Sequence, residues 1–276
     1  MTPLRAGLGQ LLEEWELTVD ESDPLPEAPA QVVAVRTADG GRAVLKVGTA
    51  GSTAHLAFRH WAGNGAVELL RADPRRGALL LERAGTADLT TRWDLEAAEA
   101  VGELYGRLHI PAPPQVRTVA EVFADWTDRV GRGDPTTAVP RRLLAQATSQ
   151  AAQLTADQTD AGALLHGNLH YAHVLSADRA PWLATSPRPL SGDPHFELAP
   201  MLWHRWDELA GRIRAGVRAR LTTLVEVAGF DEDRARAWVV VRAVHRATRT
   251  LPAQAGTPHG RDRLTICISL AKAVQD

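Results

Sequence analysis

The chain has 276 residues, 45% of them apolar, and 31 Lys and Arg against 33 Asp and Glu for a net charge of -2. That supplies the core of one two-lobed body or two small domains, and the even charge balance argues against a nucleic-acid or polybasic membrane role. A single cysteine, Cys267, excludes a disulfide framework, and no apolar leader or membrane-length run stands out, so a soluble cytoplasmic protein is expected.

Residues 8–15 have the spacing of a short amphipathic helix, followed by the acidic, proline-rich LTVDESDPLPEAP. Two alternating apolar runs, 31–36 and 42–47, flank TADGG, whose Asp39-Gly40 predicts a hairpin turn. Residues 53–61 predict a short helix, and the apolar run 77–81 a buried strand. A small, mostly antiparallel amino-terminal lobe summarises this part. From Trp93 the period becomes helical: Leu95, Ala98, Val101, Leu104, Tyr105 and Leu108 fall on one face, and PAPP at 111–114 ends the helix. Helices follow at 118–130 and 141–154. Residues 164–190 return to short apolar pieces cut by Gly and Pro, and from Pro200 the chain is helical again, over 213–227, 231–250 and 263–274. Cys267 falls in an apolar run, as a core residue would. The order predicts an α+β fold, divided into a β-rich lobe with hinge at 1–85 and a helical lobe at 86–276.

The stretch 164–206, LLHGNLHYAHVLSADRAPWLATSPRPLSGDPHFELAPMLWHRW, resembles a signature of the aminoglycoside phosphotransferase branch of the protein-kinase-like fold. The resemblance is to the streptomycin 6-kinase and hydroxyurea phosphotransferase group, with a signature near LLHGDLHxGNVL…PWLAIDPKPLxGDPxxELAPLLWNRW. VLK at 44–46 and GALLLER at 77–83 extend it over most of the chain. The resemblance implies a two-lobed fold with a small antiparallel lobe and a helical lobe carrying the catalytic loop.

It also marks three departures. Phosphoryl transfer needs a held nucleotide, metal ions bridging the phosphates and a carboxylate aligning the attacking hydroxyl. The signature's catalytic-loop aspartate is Asn168 here, its metal-binding asparagine is His173, and its second metal-binding aspartate is Ser186. An amide takes no proton, and magnesium prefers charged oxygen ligands. The stretch matching the phosphate-covering turn, 20–29, has no glycine, four acidic residues and three prolines. The helix glutamate that pairs the strand lysine is missing, with His55 and Leu56 near its place; Lys46 remains. Weak or absent binding of ATP and magnesium is therefore expected, and no metal site. His166, His170 and His173 form H-x3-H-x2-H, which on a helix would suit zinc, but the resemblance puts them on a loop and makes the first two ordinary family residues.

The expectation drawn from these residues is a repurposed, cofactor-independent cleft. Asn168, His173, Ser186 and His166 are its candidate catalytic groups, for a cyclisation, dehydration or isomerisation in natural-product metabolism. Lys46, Arg188, Tyr171, His170 and His204 are its candidate ligand contacts. His195, His204 and His245 lie in the lobe where related enzymes bind a hydroxylated substrate. Asp193 is expected to be structural, hydrogen-bonded to the loop backbone. Two alternatives stand beside this one: a non-catalytic binding or regulatory pseudokinase, and a residual streptomycin-type 6-phosphotransferase. Each takes a small-molecule partner.

Overall fold

The computed structural model describes residues 3–21, 31–48, 52–133, 139–156, 162–254 and 257–275. In chain order its elements are α1 (Pro3–Glu14), β1 (Thr18–Val19), β2 (Gln31–Arg36), β3 (Arg42–Val47), α2 (Ala54–Trp61), β4 (Leu69–Asp73), β5 (Ala78–Glu82), α3 (Asp94–Leu108), α4 (Val119–Gly131) and α5 (Arg141–Ala156). There follow β6 (Ala163–Leu165), β7 (Val174–Leu175), β8 (Leu183–Ala184), β9 (Leu190–Gly192), α6 (Ala199–Trp203), α7 (Ile213–Ala228), α8 (Glu232–Gln254) and α9 (Pro258–Ala273). The chain divides into two units. Met1–Asp88 with Val174–Arg188 form the first, and Leu89–His173 with Pro189–Asp276 the second.

The first unit is built on a five-stranded antiparallel sheet in the order β1-β2-β3-β5-β4. Alternation dictates its faces. Ala43, Leu45 and Val47 of β3 point to one side and pack with Val35, Ala78 and Leu80 under Leu11 of α1 and Trp15 just past its end. Val44 and Lys46 therefore face the other way. Gly40 takes φ +84 in the turn joining β2 to β3, the left-handed region that glycine occupies without strain. Residues 174–188, expected with the helical lobe, join the sheet unit for a local reason. Their hairpin β7–β8 bridges back to Asp88 through Leu175 and to Ala66 through Ala184. Arg179 locks it further, donating to Glu82 at 2.7 Å and to the carbonyls of Gly63 and Ala66 at 2.8 Å.

In the second unit α8 packs along α9 and α5, and α3 along α7. Trp238, Val239, Val240 and Val241 of α8 are all buried, so this helix is apolar around most of its circumference, as a central helix must be. Thr118 caps α4 in a reciprocal box: it accepts from the Glu121 N–H at 3.1 Å, and Glu121 accepts from the Thr118 N–H at 2.8 Å. Cys267 is buried and free, its thiol pushed up to about 11 by burial, as a packing residue would be. Among the described residues no helix is long and apolar enough to cross a membrane.

Candidate functional site

Two groups of the expected residues take definite shape, one in each unit. In the sheet unit, Lys46 leaves β3 on the face away from the core, and its ammonium donates to the Ser186 hydroxyl at 3.0 Å. Burial, then the positive charge of Arg188, hold its pKa below the usual lysine value. Ser186 follows β8 with φ +56, a left-handed conformation that Asp and Asn adopt more readily than Ser. Helix α2, reading AHLAFRHW, offers no acidic side chain. The structure thus pairs Lys46 with Ser186, and among the described residues neither Lys46 nor Arg188 forms an ion pair with a carboxylate.

In the helical unit, β6 runs into the loop His166–His173 and is paired to β9. Glu197 grips the start of this loop. Its two carboxylate oxygens accept from the His166 N–H at 2.9 Å and the Gly167 N–H at 2.8 Å. Behind it, Arg242 donates to the carbonyls of Phe196 and Gly167 at 2.7 and 3.0 Å. Burial pushes the Glu197 carboxyl up to about 7, opposed by Arg242 and the loop amides. The Asn168 N–H donates to His166 Nδ1 at 3.3 Å. His173 Nδ1 lies 2.9 Å from the Asn168 carbonyl and 3.3 Å from its side-chain nitrogen. Both compete for one ring nitrogen. The shorter contact is to a group that only accepts, so Nδ1 carries the proton and Nε2 is the basic nitrogen.

His170 is sandwiched between two other imidazoles, 3.9 Å from His173 and 3.7 Å from His204 between ring centroids. Burial first, then the neighbouring rings and Arg246, bring His170 down to about 2; burial and Arg246 bring His204 down to about 4. His170 and His204 are stacked and His173 is tilted against them, and the His170 and His204 rings are neutral at neutral pH.

Other expected residues have different occupations. His166 is fully buried and frames the loop, away from solvent. Tyr171 is also buried, and its hydroxyl donates to Asp94 at 2.8 Å, so it anchors the start of α3 and is not offered to a ligand. Arg220 completes that anchor, donating to Asp94 at 2.8 Å and to the His204 carbonyl at 2.8 Å. Asp193 is structural but with other partners than expected. It accepts from the His195 N–H at 3.0 Å and the Trp238 indole at 2.6 Å, and pairs with Arg234, while Glu197 takes the loop backbone. Burial would raise the Asp193 carboxyl; the His195 ring 2.6 Å away, the Trp238 indole and the His195 N–H outweigh it and hold it at about 2.

Glu197, Arg242, Asp94 and Arg220 were not singled out from the sequence. The signature's retained ELAP hinted at the first; nothing local marked the others.

Magnesium takes hard oxygen ligands, carboxylates above all. At the two positions where the signature supplies them stand an imidazole whose Nδ1 is held by a carbonyl, in the helical unit, and a hydroxyl engaged by Lys46, in the sheet unit. These donors do not fit the ion. The expected substitute for the phosphate-covering turn lies mostly outside the described residues.

A sequence profile described as aminoglycoside/hydroxyurea antibiotic resistance kinase matches residues 14–253. The chain is 39% identical over 254 residues to a streptomycin 6-kinase of Streptomyces glaucescens, covering 88% of this chain and 82% of that one. It is 38% identical over 250 residues to a hydroxyurea phosphotransferase of Kitasatospora aureofaciens, covering 86% and 70%. Its fold matches the crystal structure of aminoglycoside phosphotransferase APH(4)-Ia with a TM-score of 0.67 at 15% identity, over 99% of this chain and 100% of that one. The α+β, kinase-like fold expected from the sequence is the fold observed. The expectation of a cofactor-independent cyclisation, dehydration or isomerisation is overturned: relatives this similar over this much of the chain carry the names of phosphotransferases.

Proposed function

Since this chain belongs to the aminoglycoside/hydroxyurea antibiotic resistance kinase family, we propose that it binds a small hydroxylated antibiotic of the kind its relatives are named for, as a pseudokinase that has lost the phosphoryl-transfer step. One observation carries this reading. Where the family signature places a metal-binding carboxylate beside the strand lysine, Ser186 presents a hydroxyl and accepts from Lys46 at 3.0 Å. A neutral oxygen there cannot balance a divalent ion, and without the metal the phosphates lose most of the charge stabilisation that transfer depends on. Asn168 adds to the argument, since an amide aligns a hydroxyl but removes no proton. The hydrogen bonds that shape the loop, through Glu197, Arg242 and Asp193, support a retained binding frame.

A second reading, an antibiotic phosphotransferase in its own right, is favoured by the 39% identity to a streptomycin 6-kinase and by the retained Lys46. Calorimetry with streptomycin and hydroxyurea, run beside a labelled-ATP transfer assay with magnesium, separates them. The expected result is heat of binding for one of the two compounds and no labelled product. Labelled streptomycin made by the wild-type protein would overturn the binding-only reading in favour of the second.

A further inference from the structure

The helical unit carries a wall of rings with one polar atom left over. His170 lies between His173 and His204, with ring centroids 3.9 and 3.7 Å away, and it is 7% exposed. No hydrogen-bond partner among the described residues reaches its Nδ1. A buried polar nitrogen without a partner is costly, and a ligand group that bonds it removes that cost. A hydroxyl suits it best, since a hydroxyl both donates and accepts and so satisfies Nδ1 in either tautomer. His173 and His204, on the two sides, are half-buried, so the wall meets solvent.

The wall continues one residue back along the chain. Trp203 precedes His204, and α8 sets two guanidinium groups over its indole, Arg246 at 4.2 Å from the ring centroid and Arg242 at 5.4 Å. Arg242 is buried and donates to the carbonyls of Phe196 and Gly167. Arg246 is half-buried. A guanidinium held over an aromatic face still donates from its edge, in the planar fork that matches a carboxylate. The positive charge of Arg246 also reaches the rings, where it helps hold His170 and His204 below the usual imidazole value. The acids tied to this loop are engaged within the fold: Glu197 receives two loop amides, and Asp94 receives the Tyr171 hydroxyl and Arg220. The charge that the wall presents is therefore positive.

We propose that His170, His204, Trp203 and Arg246 form a subsite for a hydroxylated carboxylic acid, with the acid group at Arg246 and a hydroxyl at His170. This rests on the reading above in taking the chain as a small-molecule binder, and it narrows the ligand class: a polycation such as streptomycin meets like charge here and is rejected.

Three sugars of similar shape and different charge test this by titration calorimetry on the full chain: glucuronate, glucose and glucosamine. Glucuronate is expected to bind at least about tenfold more tightly than glucose, the difference that one charge-assisted pair makes, and glucosamine to give no heat. Arg246→Gln should weaken glucuronate binding about tenfold or more. His170→Phe, which keeps a ring between its neighbours, should weaken glucuronate and glucose alike. An unchanged circular dichroism spectrum is the evidence that each variant folds. Added salt, which needs no variant, should weaken glucuronate and leave glucose as it was. No binding of glucuronate by the wild type, equal binding of the three sugars, or undiminished glucuronate binding by folded Arg246→Gln or folded His170→Phe would each overturn the proposal. Streptomycin bound by a protein that ignores glucuronate would overturn it and leave the earlier reading standing. Streptomycin phosphorylated by the wild type would overturn the earlier reading and is scored by label transfer, so the two failures are distinguishable.

Discussion

Half-buried or buried imidazole recurs at the residue scale. Besides His170 and His204, His245 sits against the rings of Phe123 and Trp126, with centroids 5.0 and 5.3 Å away. Burial first, then Arg249, Arg242 and Arg129, bring it down to about 3, and no hydrogen-bond partner reaches its Nε2. The folded state therefore keeps it neutral, while the unfolded chain protonates near 6.5. A depressed pKa contributes stability that is whole above 6.5 and is lost as pH falls from there toward the folded value. At pH 5 that loss is ~2 kcal/mol for His245 alone. Melting temperature is expected to drop from pH 7 to pH 5 in the wild type. His245→Phe, which keeps the ring packing, should flatten that slope with little change at pH 7. An unchanged slope would mean His245 is protonated in the folded state. The sequence left His245 between a packing role and a place in the substrate lobe; its seat against the aromatic rings of α4 is a property of packing and was not legible.

At the scale of elements, β2 and β3 begin and end where alternation and Asp39-Gly40 put them, because a pleated strand half-buried on one face writes its period into the sequence. β1 has only two residues, both exposed, and β4 carries a register shift between Leu69 and Arg71, so neither leaves a period to read. Helix α9 starts five residues before the expected 263, at Pro258, capped by Thr257, a proline being well tolerated in the first turn. Two glycines test packing between elements. At Gly162, beside β6, an added Cβ would meet the Gly192 backbone of β9 at 2.5 Å, and backbone cannot swing away. Gly162→Ala should cost about 1–3 kcal/mol in urea unfolding, and it should disturb the loop that leaves β6. Gly106, exposed on α3 with nothing within 4 Å of an added Cβ, is its control. Gly106→Ala should stabilise by about 0.5–1 kcal/mol through helix propensity alone. Equal effects at the two positions would contradict the close approach of β6 and β9.

For the whole molecule, the residues that separate this chain from the active-kinase signature are divided between the two units, Ser186 in one and Asn168 and His173 in the other. Those differences were legible in the sequence because they interrupt a long, otherwise retained motif. The framework around them was not, since Glu197 meets the loop backbone across 31 residues and Arg220 meets Asp94 across 126. That framework sets the last expectation, a gain of function. Ser186 already has a backbone conformation suited to aspartate, and Lys46 stands ready to pair with it. His173→Asn would supply a small oxygen donor at the cost of the ring tilted against His170. Asn168→Asp would return the base. Groups that act as a unit contribute little singly, since a base without a seated metal has no activated phosphate to serve. The triple variant Asn168→Asp, His173→Asn, Ser186→Asp is therefore expected to phosphorylate streptomycin from magnesium-ATP at a rate at least about 100-fold above any single variant. A folded triple variant with no transfer would place the determinant of transfer outside these three side chains, with residues 20–29 the next segment to test. Transfer by the wild type at the triple variant's rate would mean that an amide, an imidazole and a hydroxyl suffice.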